Sequence, residues 1–351
     1  MTVTAVLGGG HQGCATAGSL ALAGDEVRLW RRDVADFGRL AEERVLTVLD
    51  ASGSRDARLA LVTDDLAAAL RGADRVVVAV PGFAHVELAR AAAPHLERGL
   101  PVLCTPGNLG SLEWASAGAL AGETPHPIFG ARKRGDTTVA VAHPTIRLPF
   151  AAVPAARTAE AIEHWSSTFP QLLPATDVVD VALSNPNPVV HPALVVTNAG
   201  AIEAFERYDL HAAGTTAATR RVIDEVDAER VAVREASGYG APHWEVATLY
   251  DPDRQGEGFF PAKTFDSVND SGDWNEPLTV GGHRYLEEDA AVALVVWSRF
   301  ARARGVPVPT IDSVLAVAGA MVDRDLHAGT PHLRSADAIL AVATTGVGAD
   351  G

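Results

Sequence analysis

The sequence predicts an α/β domain built on a doubly wound, mostly parallel sheet, followed by an all-α domain. Three observations lead to this architecture. A strand, a glycine-rich turn and a helix open the chain. Apolar strands then alternate with helices, the pattern of a parallel sheet covered on both faces. After residue 184 strand signals nearly vanish and long helical patterns take over, so we divide the chain into domains 1–184 and 185–351.

The opening element is the apolar strand 2–7, which runs directly into the turn Gly8-Gly9-Gly10-His11-Gln12-Gly13. This turn has the pattern G-x-G-x-x-G. A helix of small residues over 14–23 and a second strand over 26–30 follow it, as a βαβ unit requires. The motif therefore has the flanking strands and helix expected of a dinucleotide-binding βαβ unit.

The residues of this turn have distinct expected roles. Gly8 makes the tight turn, Gly10 lets the backbone approach a pyrophosphate, and Gly13 lets the helix lie close to the strand. The helix N-terminus presents free N–H groups and a positive dipole end to the phosphates. We predict a Rossmann-type dinucleotide site whose cofactor contacts include Gly8, Gly10, His11, Gln12 and Gly13. The alternative is a glycine-rich turn without a ligand.

The residues after the second strand indicate which dinucleotide is bound. NAD sites usually carry an acidic residue there, which binds the ribose 2′-hydroxyl. This chain has Arg31 and Arg32, with Asp33 just after them. Two guanidinium groups suit a 2′-phosphate, which a carboxylate would repel. We therefore favour NADP, and keep open the alternative that the arginines are solvated and Asp33 serves NAD.

Two further strands end in loops that we assign to the cofactor. The strand 75–80 is nearly all apolar, as buried parallel strands are, and ends in Pro81-Gly82. The strand 101–105 ends in Pro106-Gly107. Cofactors bind at the carboxyl ends of such strands. The predicted contacts are Val80, Pro81, Pro106 and Gly107.

The other elements follow from short apolar runs, helical periodicity and capping residues. In the first domain we predict strands over 59–62, 138–142, 146–153 and 178–183, and helices over 66–70, 85–96 and 158–169. Asp65 and Thr158 are the expected N-caps of two of these helices. In the second domain we predict helices over 190–207, 217–237, 288–304 and 311–325, and a frayed tail ending at Gly351.

Composition narrows the expected partners. The chain has 351 residues, of which 47% are hydrophobic, enough for two domains with cores of their own. Its formal net charge is −15, and its longest basic run is Arg132-Lys133-Arg134, so we expect neither nucleic acid nor an anionic membrane as a partner. The longest apolar stretch near the C-terminus, 290–297, is too short to span a bilayer.

The cysteines and the start of the chain favour a cytoplasmic location. Cys14 and Cys104 form no disulfide framework, which fits a reducing compartment. The first strand begins at residue 2, which leaves no room for a signal peptide. Cysteine and histidine residues show no metal-ligand spacing, so no metal site is expected.

Two positions in the second domain could carry acid–base chemistry. His191 lies at its start, where it could polarise a carbonyl, although a lone histidine is more often a packed or capping residue. Asp289 directly precedes the apolar run 290–297, where a carboxylate is costly unless it is paired. A buried aspartate bound to an imidazole would fix its tautomer and support the imidazolium. The alternative is that 287–289 is an acidic first turn favoured by the helix dipole.

Several motifs together resemble the octopine/nopaline (opine) dehydrogenase family over nearly the whole chain. They are G-x-G-x-x-G, Pro81-Gly82-Phe83-Ala84-His85, Thr105-Pro106-Gly107, Asn185-x-Asn187-x-x-x-His191-Pro192, Asn198-Ala199-Gly200 and Arg284-Tyr285-x-x-Glu288-Asp289. The resemblance implies a Rossmann domain, a helical domain and an active site between them. It implies that His191 is the catalytic acid/base and Asp289 its partner, with Arg284 as a carboxylate anchor and Asn198 as a further substrate contact.

The resemblance also implies the chemistry. An amine, usually that of an amino acid, adds to the carbonyl of a 2-oxo acid, and hydride from NADPH or NADH reduces the resulting imine. The expected partners are therefore small molecules. Helical second domains often pair, which is compatible with a homodimer, but the resemblance leaves the oligomeric state open. The loop around Trp244 is expected to shape the amine pocket, and Trp244 or Trp274 could form one wall of it. The alternative is that these tryptophans are core residues, as aromatic residues in helical domains more often are.

Two other functions stay open at this point. Glycerol-3-phosphate, ketopantoate and β-hydroxyacid dehydrogenase types share the two-domain architecture, and the Trp30-Arg31-Arg32 segment resembles the first of them. These three types use a catalytic lysine on a helix of the second domain, whereas this chain has only Lys133 and Lys263, in other contexts. Reductases of ready-made imines belong to the same alternative. The second alternative is a dinucleotide sensor without turnover, which would not need a histidine and a carboxylate together.

Overall fold

The computed structural model describes residues 1–251, 253–254, 256–260, 279–329 and 335–346. By its internal contacts the chain forms two compact units. The first is Met1–Val181 with a short C-terminal stretch that begins at Val342, and the second is Ala182–Ala341.

Twelve strands lie in the first unit. They are β1 (Val3–Leu7), β2 (Glu26–Trp30), β3 (Val45–Asp50), β4 (Gly53–Arg58), β5 (Leu61–Thr63), β6 (Arg75–Val78), β7 (Pro101–Cys104), β8 (Leu120–Glu123), β9 (Phe129–Lys133), β10 (Thr138–Pro144), β11 (Leu148–Ala152) and β12 (Leu172–Pro174). Eight of them form one sheet in the order β12-β11-β8-β7-β6-β1-β2-β5.

The eight-stranded sheet confirms the predicted doubly wound fold. Its strands run parallel from β5 to β8, and only the pairing of β8 with β11 is antiparallel. The order changes direction between β1 and β6, which is the crevice where such sheets bind dinucleotides. The turns that follow β1, β6 and β7 all leave the carboxyl edge of the sheet.

A second, four-stranded sheet in the order β4-β3-β10-β9 corrects the prediction that 138–142 extends the main sheet. The hairpin of β3 and β4 was missed, because much of β4 is exposed and carries arginine and aspartate rather than an apolar face. Helix α1 lies between the two sheets, with Gly18 packed against Val48 of β3. Burial on both sides explains why small residues fill this helix.

The helices of the first 182 residues are α1 (His11–Leu22), α2 (Leu40–Glu43), α3 (Leu66–Leu70), α4 (His85–Ala92), α5 (Ser111–Ser116), α6 (Thr158–Glu163) and α7 (Val178–Ala182). Asp65 caps α3 as predicted, accepting the Ala68 N–H. Thr158 is not an N-cap, because its hydroxyl accepts the Ala152 N–H of β11 instead.

The predicted strand 178–183 was wrong, since α7 is a helix. Its valines favour a strand, but the Asp177 carboxylate accepts the N–H groups of Val179 and Asp180 at 2.8 and 3.0 Å. A carboxylate in this position starts a helix by satisfying its first free donors. Local capping therefore overrides β-propensity here.

The described part of the second unit is helical, as predicted. Its helices are α8 (Asn187–Ala204), α9 (Ala217–Ala236), α10 (Ala247–Tyr250), α11 (Tyr285–Leu294), α12 (Val295–Arg304), α13 (Pro309–Met321) and α14 (Ala336–Thr345), whose last turn belongs to the first unit. Helix α11 is π-helical, with wider i→i+5 turns, and it begins three residues before the predicted start at 288. In the described residues we find no helix long and apolar enough to cross a membrane.

Candidate active site

The glycine-rich turn after β1 has the geometry of a phosphate cradle. A Cβ on Gly8 would lie 2.2 Å from the Ala79 carbonyl oxygen, and one on Gly13 would lie 1.6 Å from the Gly8 oxygen, so neither position tolerates a side chain. A Cβ on Gly10 would meet nothing within 4 Å. The backbone is thus closed on the protein side and open at Gly10, next to the N-terminus of α1. This shape fits a dinucleotide pyrophosphate.

The adenosine end of this cradle carries the predicted arginines. The stem of Arg31 lies against Gly9, and its guanidinium pairs with Asp36 at 2.8 Å. Arg32 is exposed, and no described carboxylate pairs with it. The Asp33 carboxylate accepts the Ala35 N–H at 2.9 Å, where it caps the short turn Val34–Phe37. The acid on which the NAD alternative depends is therefore already engaged by the backbone.

The second sheet meets the same turn at Lys133. The backbone N–H of Lys133, at the end of β9, donates to Nδ1 of His11 at 3.0 Å, which ties this strand to the first residue of α1. Burial raises the pKa of the Cys14 thiol to about 11, against the opposing effect of the Lys133 and Arg31 charges. Lys133 and Arg31 thus act on one point beside the glycine turn. Gln12, the other predicted contact on this helix, is half-buried in its first turn.

The two other predicted cofactor loops differ in their surroundings. The loop at Val80 adjoins the glycine-rich turn, and the turn at Gly107 packs on the buried Glu123. Val80 lies 3.3 Å from the Cβ position of Gly8, and Pro81 follows it at the surface. Beyond Pro106, a Cβ on Gly107 would lie 2.2 Å from the Cβ of Glu123. Glycine is therefore needed where this turn crosses Glu123.

Glu123 holds the turn after β7 from below. Its carboxylate accepts the Leu109 N–H at 2.9 Å, the Ser111 N–H at 3.1 Å and the Ser111 hydroxyl at 2.5 Å. Burial raises the pKa of Glu123 to about 7, although these hydrogen bonds oppose the rise. Leu109 adopts a left-handed conformation (φ 68°), which the bond to Glu123 helps to hold. Glu123 therefore shapes a loop that we assign to the cofactor.

In the second unit, the structure brings His191 of α8 and Asp289 of α11 together. Their Nδ1 and Oδ2 atoms are 2.7 Å apart, and both residues are buried. Burial raises the pKa of Asp289 to about 7, against the opposing charges of Arg284 and His283. In the hydrogen-bonded pair Nδ1 carries the proton toward the carboxylate, which leaves Nε2 as the nitrogen that can exchange a proton with a substrate.

Aromatic and imidazole rings surround this pair. The Tyr285 ring stacks on the His191 imidazole, with centroids 3.8 Å apart and an interplanar angle of 17°. Its hydroxyl lies 2.7 Å from Nε2 of His211, whose ring meets His191 edge-on at 5.5 Å. His283 meets the Tyr285 ring edge-on at 4.4 Å. Four proton-handling groups therefore lie side by side: His191, His211, Tyr285 and Asp289.

The two predicted substrate contacts lie nearby in different environments. Arg284 is exposed, and its guanidinium carbon lies 5.1 Å from the Tyr285 ring centroid. Asn198 is buried; its amide donates to the carbonyls of Leu194 and Gly214, and its oxygen accepts the Tyr208 hydroxyl at 2.9 Å. Arg284 is thus an exposed cation beside Tyr285, whereas Asn198 holds the loop that carries His211.

Sequence reasoning missed His211 and Glu123. His211 lies in a loop without periodicity, and Glu123 reads as the end of an ordinary strand, so neither gives a local signal. Lys133 was predicted neither as a cofactor contact nor as a catalytic residue, although it lies in the longest basic run. Trp244 stacks on Phe259 at 5.0 Å, while the candidates Lys263 and Trp274 lie outside the described residues.

Both halves of the chain match known families. The family described as NAD/NADP octopine/nopaline dehydrogenase, alpha-helical domain, matches residues 174–322. The family described as NAD-dependent glycerol-3-phosphate dehydrogenase N-terminus matches residues 3–106. An opine dehydrogenase from Arthrobacter sp. (strain 1C) is 29% identical over 334 residues, which cover 92% of this chain and 91% of that protein.

Solved structures share the fold. Octopine dehydrogenase in complex with NADH and agmatine gives a TM-score of 0.70 at 17% identity, covering 98% of both chains. Yersinopine dehydrogenase with NADP+ bound gives a TM-score of 0.68 at 14% identity, covering 97% of this chain and 95% of that one. These similarities confirm the predicted pairing of a Rossmann domain with a helical domain.

Proposed function

We propose that this chain is an NAD(P)-dependent oxidoreductase of the opine dehydrogenase type, which acts on CH–NH bonds, and that its own residues carry the reaction as follows. The reaction is the reductive condensation of a 2-oxo acid with an amine through an imine. The observation that carries our proposal is the buried pair of His191 and Asp289, 2.7 Å apart.

His191 acts as the acid/base of the condensation. Nε2 of its imidazolium gives a proton to the carbonyl oxygen, which leaves as water when the imine forms. Asp289 holds the ring by Nδ1 and stabilises its charge. Burying a carboxylate raises the free energy of the folded state unless the group is paired. The buried pair of His191 and Asp289 therefore favours a catalytic role over packing alone.

Arg284 is the anchor for a substrate carboxylate, since its planar fork matches two carboxylate oxygens. Arg284 directly precedes the helix that bears Asp289, and its charge opposes the rise in the Asp289 pKa, which supports binding of the oxo acid near the acid–base pair. Asn198 enters the proposal through the Leu210–Gly214 loop that it holds, and direct contact with substrate stays a prediction.

A nicotinamide dinucleotide supplies the hydride when bound. The residues that would hold it are the backbone of Gly8–Gly13, the loop at Val80 and Pro81, and the turn at Pro106 and Gly107. We propose NADP rather than NAD as the preferred form. Arg31 and Arg32 supply positive charge at the end of β2, and the Lys133 charge, which acts on Cys14 beside the turn, adds a third cation. Asp33 is engaged as a cap.

The test follows NADPH and NADH absorbance with pyruvate and other 2-oxo acids, each with and without a panel of amino acids and simple amines that includes agmatine. We expect oxidation only when an oxo acid and an amine are both present. Oxidation with an oxo acid alone would instead indicate a hydroxyacid or ketopantoate type of reductase. Cofactor binding without oxidation across the whole panel would favour a sensor.

A further inference from the structure

The pair formed by Tyr285 and His211 lies directly beside the imidazole to which we assign the acid–base work. Tyr285 covers one face of His191 at 3.8 Å, and its hydroxyl is hydrogen-bonded to Nε2 of His211 at 2.7 Å. Tyr285 is 3% exposed, and the His211 ring contacts both of the other rings edge-on. A phenol and an imidazole at this distance can pass a proton between them.

The condensation needs more proton transfers than one imidazole can hold at once. An amine in water near neutral pH is an ammonium ion, RNH3+, which has no lone pair with which to attack a carbonyl. Forming the iminium ion, RNH+=C, removes two protons from the nitrogen. The same two protons leave on the carbonyl oxygen as water, so atoms and charge balance without an external acid or base. His191 carries only one proton at Nε2 at a time.

We infer that Tyr285 and His211 form a second proton relay, which deprotonates the incoming ammonium while His191 protonates the carbonyl oxygen. The inference rests on the proposed function. The Tyr285 oxygen accepts a proton from the ammonium and passes its own proton to Nε2 of His211. The freed amine attacks the carbonyl carbon, and the carbonyl oxygen takes its proton from His191. The substrate this relay serves is thus an amine that arrives protonated.

The surroundings of the relay combine positive charge with buried acids. The groups that contact Tyr285 or His211 include His191 on α8 and His283 and Arg284 at the start of α11. Asp289 pairs with His191, and the buried Glu288 follows Tyr285 by three positions on the same helix. His191 is neutral once it has protonated the carbonyl oxygen, so the positive charge on His211 does not add to one on His191. Neutral His191 then takes the second proton from the nitrogen of the adduct and gives it to the hydroxyl group, which leaves as water. The proton held on His211 restores the His191 imidazolium.

The test compares His211→Gln with the wild-type protein, using pyruvate and the best amine of the panel, across pH 6.5 to 10. A general base typically contributes about 100-fold or more, so we expect kcat/KM for the amine to fall by about 100-fold at pH 7. The variant should approach the wild-type value toward pH 10, where the amine is already deprotonated in solution. His327→Gln, a histidine of the same unit in the turn Leu326–Gly329, is the matched control.

Tyr285→Phe keeps the ring that stacks on His191 and removes only the hydroxyl. It should show the same loss at pH 7 and the same recovery at high pH. A loss in both variants that is equal at all pH values would mean a structural role and would overturn the relay, as would full activity of Tyr285→Phe at pH 7. A wild-type protein that oxidises cofactor without any amine would instead refute the proposed function itself, and the relay with it.

Discussion

Replacing Asp289 by asparagine removes the charge that supports the His191 imidazolium and keeps nearly the same shape. Nδ1 and Oδ2 are 2.7 Å apart, so the centres of the two charged groups are roughly 4 Å apart in the protonated pair. At an effective dielectric constant of about 20, two unit charges at that separation attract each other by about 4 kcal/mol. If half to all of this stabilisation is realised in the transition state, kcat falls by about 30- to 1,000-fold. An asparagine that turns its NH2 group toward the ring would also impose the wrong tautomer.

The assay is steady-state oxidation of NADPH with saturating oxo acid and amine, together with cofactor binding by fluorescence titration. Asp289→Asn should lose kcat and bind cofactor as the wild-type protein does, because Asp289 belongs to the second unit and the glycine-rich turn to the first. Glu287→Gln is the matched control, since Glu287 is on the same helix and pairs with Arg324 near the surface. A kcat of Asp289→Asn within about threefold of the wild-type value, a difference of less than about 1 kcal/mol, would refute stabilisation of the imidazolium by the Asp289 charge.

Three further predictions concern the first unit. Gly10→Ala should change the free energy of unfolding by less than about 1 kcal/mol but weaken cofactor binding about tenfold or more. Gly13→Ala should lower the free energy of unfolding by about 3 kcal/mol, because its Cβ would lie 1.6 Å from the Gly8 oxygen. Equal effects of the two variants in urea unfolding would contradict the cradle geometry. Arg31→Asp and Lys133→Gln should each lower the ratio of NADPH affinity to NADH affinity. The decrease should be about tenfold for the charge reversal at Arg31 and smaller for the loss of the Lys133 charge. An unchanged ratio in a binding titration would mean that these cations do not contact a 2′-phosphate. Burial raises the pKa of Glu123 from 4.5 to about 7, so its protonated form stabilises the fold fully below pH 4.5. This stabilisation, up to about 3 kcal/mol, is lost as the pH rises through 7. Glu123→Gln should lack this pH dependence, and stability curves of the two proteins that run parallel from about pH 4.5 to 8 would refute the prediction.

The parts of the fold that sequence predicted well are those whose signal is local. The strand, glycine turn and helix at residues 3–22 are fixed by spacing that only glycine can satisfy, and the structure shows the reason at Gly8 and Gly13. The proximity of His191 and Asp289 was also predictable, because a carboxylate next to an apolar run needs a partner. Their separation of 98 positions along the chain is bridged by the resemblance, since no local pattern spans it.

The parts that sequence missed depend on contacts that form only in the folded chain. Residues 178–182 are rich in valine, yet the Asp177 carboxylate starts a helix there. The small second sheet pairs β3 with β10, some 90 residues later, to cover α1. His211 becomes a candidate site residue only through its hydrogen bond with Tyr285, 74 positions away along the chain. None of these pairings leaves a periodic pattern in the segment that takes part.

The most direct test of the central claim is the mass of the product formed from pyruvate, a nitrogen-15-labelled amine and NADPH. Reductive condensation predicts a single secondary amine that contains the labelled nitrogen and the three pyruvate carbons, formed in proportion to the NADPH consumed and absent when His191 is replaced by alanine. Lactate as the product, with the labelled amine recovered unchanged, would contradict it.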